Sequence, residues 1–499
     1  MSKTWLAVLG SILLIGGMLY ALSRTDSQLS SSDSNTDSKP AIVLFCAASN
    51  RAVMEQIRAD YEAETGRHVV IQYGASQTLL SQLELAGAAD LYLPADDSFL
   101  KMGDSKELLA ERLPIAQMHC GAAVTKGNPL HIEQLSDLLF PKVRLVQANP
   151  DATAVGKLTK QLLSETGSWD ELDRATLAYR GTVTDVTNDL VVGAADAGIV
   201  YDAVLHTYPD LEFIALPELA AATSKVAIAV VSTSERPTAA LHFARYVAAA
   251  DRGLKHYAEH GFTTEVGDAW ADVPELAIYA GSMLRPAIED TIVAFEQREG
   301  VSVSRVYNGC GILVAQMKAG QHPDAYFACD KEFMQQVTDL FPTSVDVSQN
   351  ELVILVAKGN PKNITSLRDL TREGLRVGVG HEKQCAMGWI TQNTFRDGGI
   401  QQEVMANVTV QSPTGDMLVN QLRTGSLDAA VAYLSNAAGS AEFLDLVPID
   451  GIACSTATQP WAVARDSQHP QLAGRLFDAI RSAESQEIFA AEGFTWQLP

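Results

Sequence analysis

The side chains able to do chemistry are few and widely spaced. Cys46, Cys120, Cys310, Cys329, Cys385 and Cys454 are the only cysteines, and no two form the CxxC or CxxxC pairs that hold zinc or an iron–sulfur cluster. The serines of ASNRA and GASQ lie outside any GxSxG elbow, and no Ser/His/Asp order recurs along the chain. A hydrolase is a poor fit. Taken singly, such serines read as helix caps. These hydroxyls and thiols therefore point to binding, and the elements that position them decide what is bound.

A chain of 499 residues carries two to four domains at about 100–200 residues each. With 47% hydrophobic and 19% charged residues it has material for large cores. Lys+Arg 37 against Asp+Glu 60 gives a net charge of −23, which repels phosphate backbones and excludes nucleic acid as a partner.

The run WLAVLGSILLIGGMLYAL, Trp5 to Leu22, lies between Lys3 and Arg24 and contains no charge. It reads as a membrane anchor or an export signal within residues 1–23, with no lipobox cysteine. Residues 24–40 are Ser/Asp-rich and read as a flexible tether. Either form of the leader places the remainder outside the cytoplasm, periplasmic or otherwise extracytoplasmic.

Beyond Ala41 the sequence repeats. Tyr61, Tyr73 and Asp96 are answered by Phe295, Tyr307 and Asp330, each 234 residues later. Gly127 of AVTKGNP, Tyr201 of ADAGIVY and Phe262 of HGF are answered by Gly359, Tyr433 and Phe494, each 232 residues later. The chain is a tandem duplication spanning 41–266 and 274–499. Within each copy, short apolar runs such as AIVLFCAAS, HVVIQYG, ADLYLPA, VRLVQA and DAGIVY alternate with amphipathic stretches such as RAVMEQIRADYEAET. That pattern predicts an α/β fold with sheets covered on both faces.

The segments FCAASNRA, YGASQTLLSQLELAGAADLYLPAD, AVTKGNP, DATAVGK, SWDEL and ADAGIVY stand in the order found in the periplasmic molybdate-binding proteins of bacterial ABC importers, of the type II periplasmic binding fold, which residues 41–262 resemble. The resemblance implies two α/β lobes joined by crossing strands, an anion between them, no catalysis, and delivery to an ABC permease. In the first copy, lobe one would comprise about 41–118 plus 226–266 and lobe two 119–225. It implies hydroxyl and N–H donors from Ser49 and Ser76, backbone N–H donors from Ala154, Val183 and Ala95 (Pro94 cannot donate), and the Tyr201 phenol. Neutral donors at helix starts suit a fully deprotonated tetrahedral dianion, favouring molybdate, tungstate or sulfate over phosphate.

The second copy keeps the framework and changes the pocket. Ser49 is matched by Met283, with Ser282 displaced by one, Ser76 by Cys310 and Ala95 by Cys329, while Ala386 and Tyr433 retain Ala154 and Tyr201. His381 and Cys385 precede Ala386. Three readings follow: a degenerate copy that packs against the first; a soft metal ion or thiophilic oxyanion held by Cys310 and Cys385 with His381, Cys329 or Met283; or ordinary oxyanion binding. A Cys310–Cys385 disulfide locking the cleft is a further expectation. In the first copy, Cys46 and Cys120 read as separate core thiols. A sensory or structural interaction protein that kept the fold is the alternative to transport.

Overall fold

The computed structural model describes residues 40–498. The anchor or signal segment and nearly all of the tether lie outside these residues. Among the described residues no helix is long and apolar enough to cross a membrane.

The first copy builds ten strands: β1 (Ile42–Ala47), β2 (Val69–Gly74), β3 (Leu91–Leu93), β4 (Leu109–Thr125), β5 (Leu145–Ala148), β6 (Thr176–Arg180), β7 (Ala197–Tyr201), β8 (Leu211–Ile214), β9 (Thr223–Val231) and β10 (Thr263–Thr264). Their order is β2-β1-β3-β9-β4-β7-β5-β6, with β8 and β10 on β4. The second copy repeats this order strand for strand, from β11 (Glu275–Gly281) to β20 (Thr495–Trp496). Central strands are buried on both faces, as in AGIVY, where all five residues are buried.

One long strand divides each copy into lobes. The amino-terminal part of β4 pairs antiparallel with β9 up to His119, and from Cys120 onward it pairs with β7 and β8. Parallel β1, β2 and β3 therefore belong to one lobe, and β5, β6 and β7 to the other. The KGN turn after β4 is retained in detail. Gly127 (φ +83°) and Asn128 (φ +43°) match Gly359 (+79°) and Asn360 (+45°). Each asparagine side chain pins the chain four residues on, Asn128 to Ile132 and Asn360 to Ile364.

The helices that matter below are α1 (Arg51–Thr65), α2 (Ser76–Ala86), α3 (Ala154–Glu165), α4 (Val183–Val191), α5 (Pro237–Val247) and α6 (Gly253–Glu259) in the first copy. In the second they are α7 (Arg285–Glu299), α8 (Cys310–Lys318), α9 (Ala386–Asp397), α10 (Pro470–Ile480) and α11 (Ala483–Ala491).

The copies are fastened to each other by charge as well as packing. Glu299, buried at the end of α7, takes bonds from Arg475 of its own copy (Nε to Oε1 2.6 Å, Nη2 to Oε2 3.1 Å) and from Arg245 Nη1 of the first (3.2 Å). Arg298 forks onto Glu111 across the same boundary at 2.6 and 3.0 Å. Asp268, in the link between copies, accepts from the N–H groups of Gln471 and Leu472 at the start of α10.

Candidate functional site

In the first copy the lobes meet over a small cavity of about 20 Å³. Its walls include all six residues expected from sequence: Ser49, Ser76, Ala95, Ala154, Val183 and Tyr201. No charged side chain lines it. Four helix starts converge here: the short turn Ala48–Asn50 that runs into α1, then α2 at Ser76, α3 at Ala154 and α4 at Val183. As the first helical residues, Ser76, Ala154 and Val183 have N–H groups without a partner inside their helices. Together they present the positive ends of helix dipoles to one small volume.

The side chains are set as donors. Ser76 Oγ accepts the N–H of Ala95 at 3.1 Å, and Ser49 Oγ accepts from Asn50 Nδ2 at 3.3 Å. A hydroxyl already accepting keeps its own proton for a guest. The Tyr201 hydroxyl is buried and has no hydrogen-bond partner. Burial, with Cys120 and Asp96 nearby, holds its pKa well above the usual tyrosine value, so it also remains a donor. An orphaned buried hydroxyl is costly unless something fills its need.

The Ala95 N–H donates to Ser76 Oγ, so in this structure that amide orients the serine at the cavity wall. Thr153 and Thr182, which sequence reading passed over, also line the cavity. Both are N-caps: Thr153 Oγ1 accepts from Gly156 N, and Thr182 forms a capping box with Asp185. The T-x-x-D spacing of TVTD carries that signal.

The second copy differs where the first is most conducive to an anion. Cys310, at the first position of α8, is bonded to Cys329. The expected Cys310–Cys385 link is absent, because Cys385 caps α9 from the opposite lobe, its sulfur against the carbonyls of His381 and Ser412 at 3.6 Å. The first-copy thiols Cys46 and Cys120 are free and buried.

The disulfide is accommodated by a coupled change. Ala47 of the first copy is matched by Gly281, and a Cβ there would fall on Cys329 Sγ and lie 3.2 Å from Cys310 Sγ. Gly281→Ala is therefore expected to cost about 1–3 kcal/mol by overpacking. In a Cys329→Ala background the cost should shrink, which paired urea titrations would show; equal costs would refute the coupling.

Other small residues let the second cleft close on backbone. Gly309 replaces Ala75, and a Cβ there would stand 2.5 Å from the carbonyl oxygens of both Gln384 and Pro413. Gly311 replaces Gln77, and a Cβ would strike the Lys383 carbonyl. Val183 is matched by Gly415, whose missing side chain is replaced by that of Asn436, bonded to Asp416 at 3.2 Å. Ser282 and Met283 form the short turn before α7, Ala386 begins α9, and the Tyr433 hydroxyl is again buried without a partner.

The soft-metal set is not assembled. Cys310 is consumed by its disulfide with Cys329, and the Cys385 sulfur is turned to the carbonyls of His381 and Ser412. His381 Nδ1 lies 3.2 Å from the N–H of Lys383. Among the described residues no group of three or more His, Cys, Asp or Glu is placed to hold a metal ion.

A putative binding protein of Haemophilus influenzae is 28% identical over 228 residues, covering 44% of this chain and 90% of its own. The molybdate-binding protein ModA of Mycobacterium tuberculosis is 29% identical over 243 residues, 48% of this chain and 90% of its own. A putative ABC transporter substrate-binding lipoprotein of Bacillus subtilis, YvgL, is 25% identical over 277 residues, 52% of this chain and 97% of its own. Among solved structures, the periplasmic molybdate-binding protein of Azotobacter vinelandii aligns with a TM-score of 0.40 at 17% identity, covering 45% of this chain and all of that one. The sulfate-binding protein SubI of Mycobacterium tuberculosis aligns at 0.39 and 18%, covering 44% and 86%. By name, the three relatives are two binding proteins and the substrate-binding component of an ABC transporter. The profile described as bacterial extracellular solute-binding protein matches residues 42–263 and again 276–495, and the chain belongs to that family through both of its copies.

Proposed function

We propose that the first copy binds a fully deprotonated tetrahedral oxyanion, molybdate or tungstate, and hands it to an ABC permease while the amino-terminal segment holds the chain at the membrane. The observation that carries this reading is the buried, unpartnered Tyr201 hydroxyl in a cavity without charged side chains, on which helix starts converge. The hydroxyls of Ser49, Ser76 and Tyr201 and the N–H groups at the starts of α2, α3 and α4 can all donate there. A protonated oxyanion would set its own O–H against a donor, an unpaired-group penalty of about 1–3 kcal/mol. The relatives named as molybdate-binding support the same ligand class.

Calorimetric titration of the full chain with molybdate, sulfate and phosphate tests the proposal. One saturable equivalent of molybdate is expected, with phosphate much weaker; no saturable heat with any of the three anions would end the reading. Ser76→Ala should weaken binding by about 1.5–3 kcal/mol, the worth of a hydrogen bond to a charged oxygen. Ser98→Ala, outside the cavity wall, should change little. Equal losses would move the site elsewhere. The second copy, with Met283 for Ser49 and a disulfide at the place of Ser76, should bind molybdate at least about tenfold more weakly, 1.4 kcal/mol.

A further inference from the structure

A larger cavity, about 600 Å³, lies between the copies. One wall is the Ala110–Arg112 stretch of β4 in the first copy; the others come from α7, α10 and α11 of the second. The internal repeat shows why this space is open. Pairing Pro237 with Pro470, the first residues of α5 and α10, sets His242 opposite Arg475 and Tyr246 opposite Ala479. The earlier offsets set Glu64 opposite Arg298 and Arg252 opposite Glu484. Arg298, Arg475, Ala479 and Glu484 all line the cavity.

Their first-copy counterparts form a filled socket. Trp270, on the irregular segment leaving the first copy, packs edge-to-face against His242 and Tyr246, with centroids 5.1 and 4.9 Å away. Its indole N–H donates to Glu64 Oε1 at 3.2 Å, and the Tyr246 hydroxyl donates to Glu64 Oε2 at 3.0 Å. The segment's backbone is held as well, Trp270 N–H to Asp251 at 2.9 Å. In the second copy alanine stands at the place of Tyr246, and the acceptor Glu64 has become the donor Arg298. Two further polar atoms of lining residues are buried and unpartnered: Arg475 Nη1 and Ser485 Oγ.

We propose that this cavity is a binding site for a tyrosine side chain presented by an extended, basic segment of a partner polypeptide. Ala479 leaves open the space that the Tyr246 ring takes in the first copy, and Trp270 there shows an aromatic side chain delivered to the same socket by a non-helical segment of chain. The donors at the wall select a ring whose edge accepts a hydrogen bond, which a phenol oxygen does and an indole N–H does not. Asp290 and Glu484, exposed at the cavity wall, supply the complement to basic flanking residues, while Asp478 beside them is paired with Arg481 at 2.6 Å. The site is separate from the anion cleft and does not depend on its assignment.

The test uses the full chain and two amidated, acetylated tripeptides, Lys-Tyr-Lys and Lys-Ala-Lys, followed by ligand-observed NMR at millimolar peptide. Saturable binding of the tyrosine peptide is expected, with the alanine peptide at least tenfold weaker. Ala479→Tyr, which puts into α10 the ring that α5 carries, should reduce tyrosine-peptide binding at least tenfold. Ala294→Trp blocks the exposed edge of the same cavity and serves if the first variant does not fold. Ser485→Ala should weaken binding severalfold. Equal binding of the two peptides, or binding unchanged in both blocking variants, overturns the proposal. Saturable binding of free 4-methylphenol that the tyrosine peptide does not displace overturns it as well, in favour of a free small aromatic ligand.

Discussion

Glu299→Gln is expected to destabilise the protein by about 3–5 kcal/mol, the usual result of leaving a buried charge uncompensated. Glu299 is 1% exposed and stands between Arg245 of one copy and Arg475 of the other, which are 7% and 6% exposed. Burial alone would raise its carboxyl pKa, but Arg475 and Arg245 outweigh burial and hold it below the usual value. A carboxylate with a lowered folded pKa contributes stability that is complete above its unfolded pKa, about 4.3, and is lost as pH falls through the folded pKa. Asp268, raised by burial, acts in the opposite sense over the acid range. The variant should therefore differ most from the parent at neutral pH and converge on it in acid. Arg298→Ala removes only the half-exposed pair with Glu111 and should cost no more than about 1 kcal/mol. Urea unfolding at pH 7 and pH 4 would decide; equal costs for the two variants would show that the Glu299 cluster does not fasten the copies.

Much of this architecture is legible in the sequence because it rests on periodicity and repetition. The apolar runs IVLFCA, VVIQYG and AGIVY become strands, and Asp96 and Asp330, paired by offset, each cap a helix by accepting an N–H two residues on, from Ser98 and Glu332. The six residues expected at the cleft share one cavity because each stands near a strand end or helix start, positions that local sequence marks. What escaped the sequence is long-range pairing. Nothing in the spacing of Cys310, Cys329 and Cys385 says which sulfurs meet; that depends on Cys310 and Cys329 belonging to one lobe and Cys385 to the other. The use of the Ala95 amide by Ser76 is likewise a contact across 19 residues. The inter-copy cavity is invisible to any single helix pattern and emerges only when Tyr246 and Ala479 are compared in place.

The second cleft follows a consistent logic. Gly309 and Gly311 each remove a Cβ that would meet a backbone carbonyl across the cleft, and Gly281 removes one that would meet the disulfide sulfurs of its own lobe, where the first copy has Ala75, Gln77 and Ala47. Gly311 N–H still reaches across to the Gln384 carbonyl at 3.0 Å, as Gln77 N–H reaches Ala152 at 3.2 Å in the first copy. The cross-lobe contact is thus kept while the donor-lined space is exchanged for disulfide and backbone.

The donors of the first copy can be deleted one atom at a time. Ala154→Pro removes the N–H at the first position of α3, where proline is tolerated because that N–H has no helical partner. Thr153 before it is extended (φ −114°, ψ 149°), a conformation compatible with a following proline. Val183→Pro is its equivalent in α4, after Thr182 at φ −140°, ψ 162°. The chain itself places prolines at the starts of α5, α7 and α10. Each substitution should leave the melting temperature nearly unchanged and weaken molybdate binding by about 1.5–3 kcal/mol. The double variant should lose about 3–6 kcal/mol, because the two N–H groups come from different helices and would serve different oxygens. Ala386→Pro, at the matching position of α9 in the second copy, should leave the molybdate titration as it was. Full affinity in the double variant, with folding intact, would show that the helix starts do not hold the anion and that Ser49, Ser76 and Tyr201 alone must account for it.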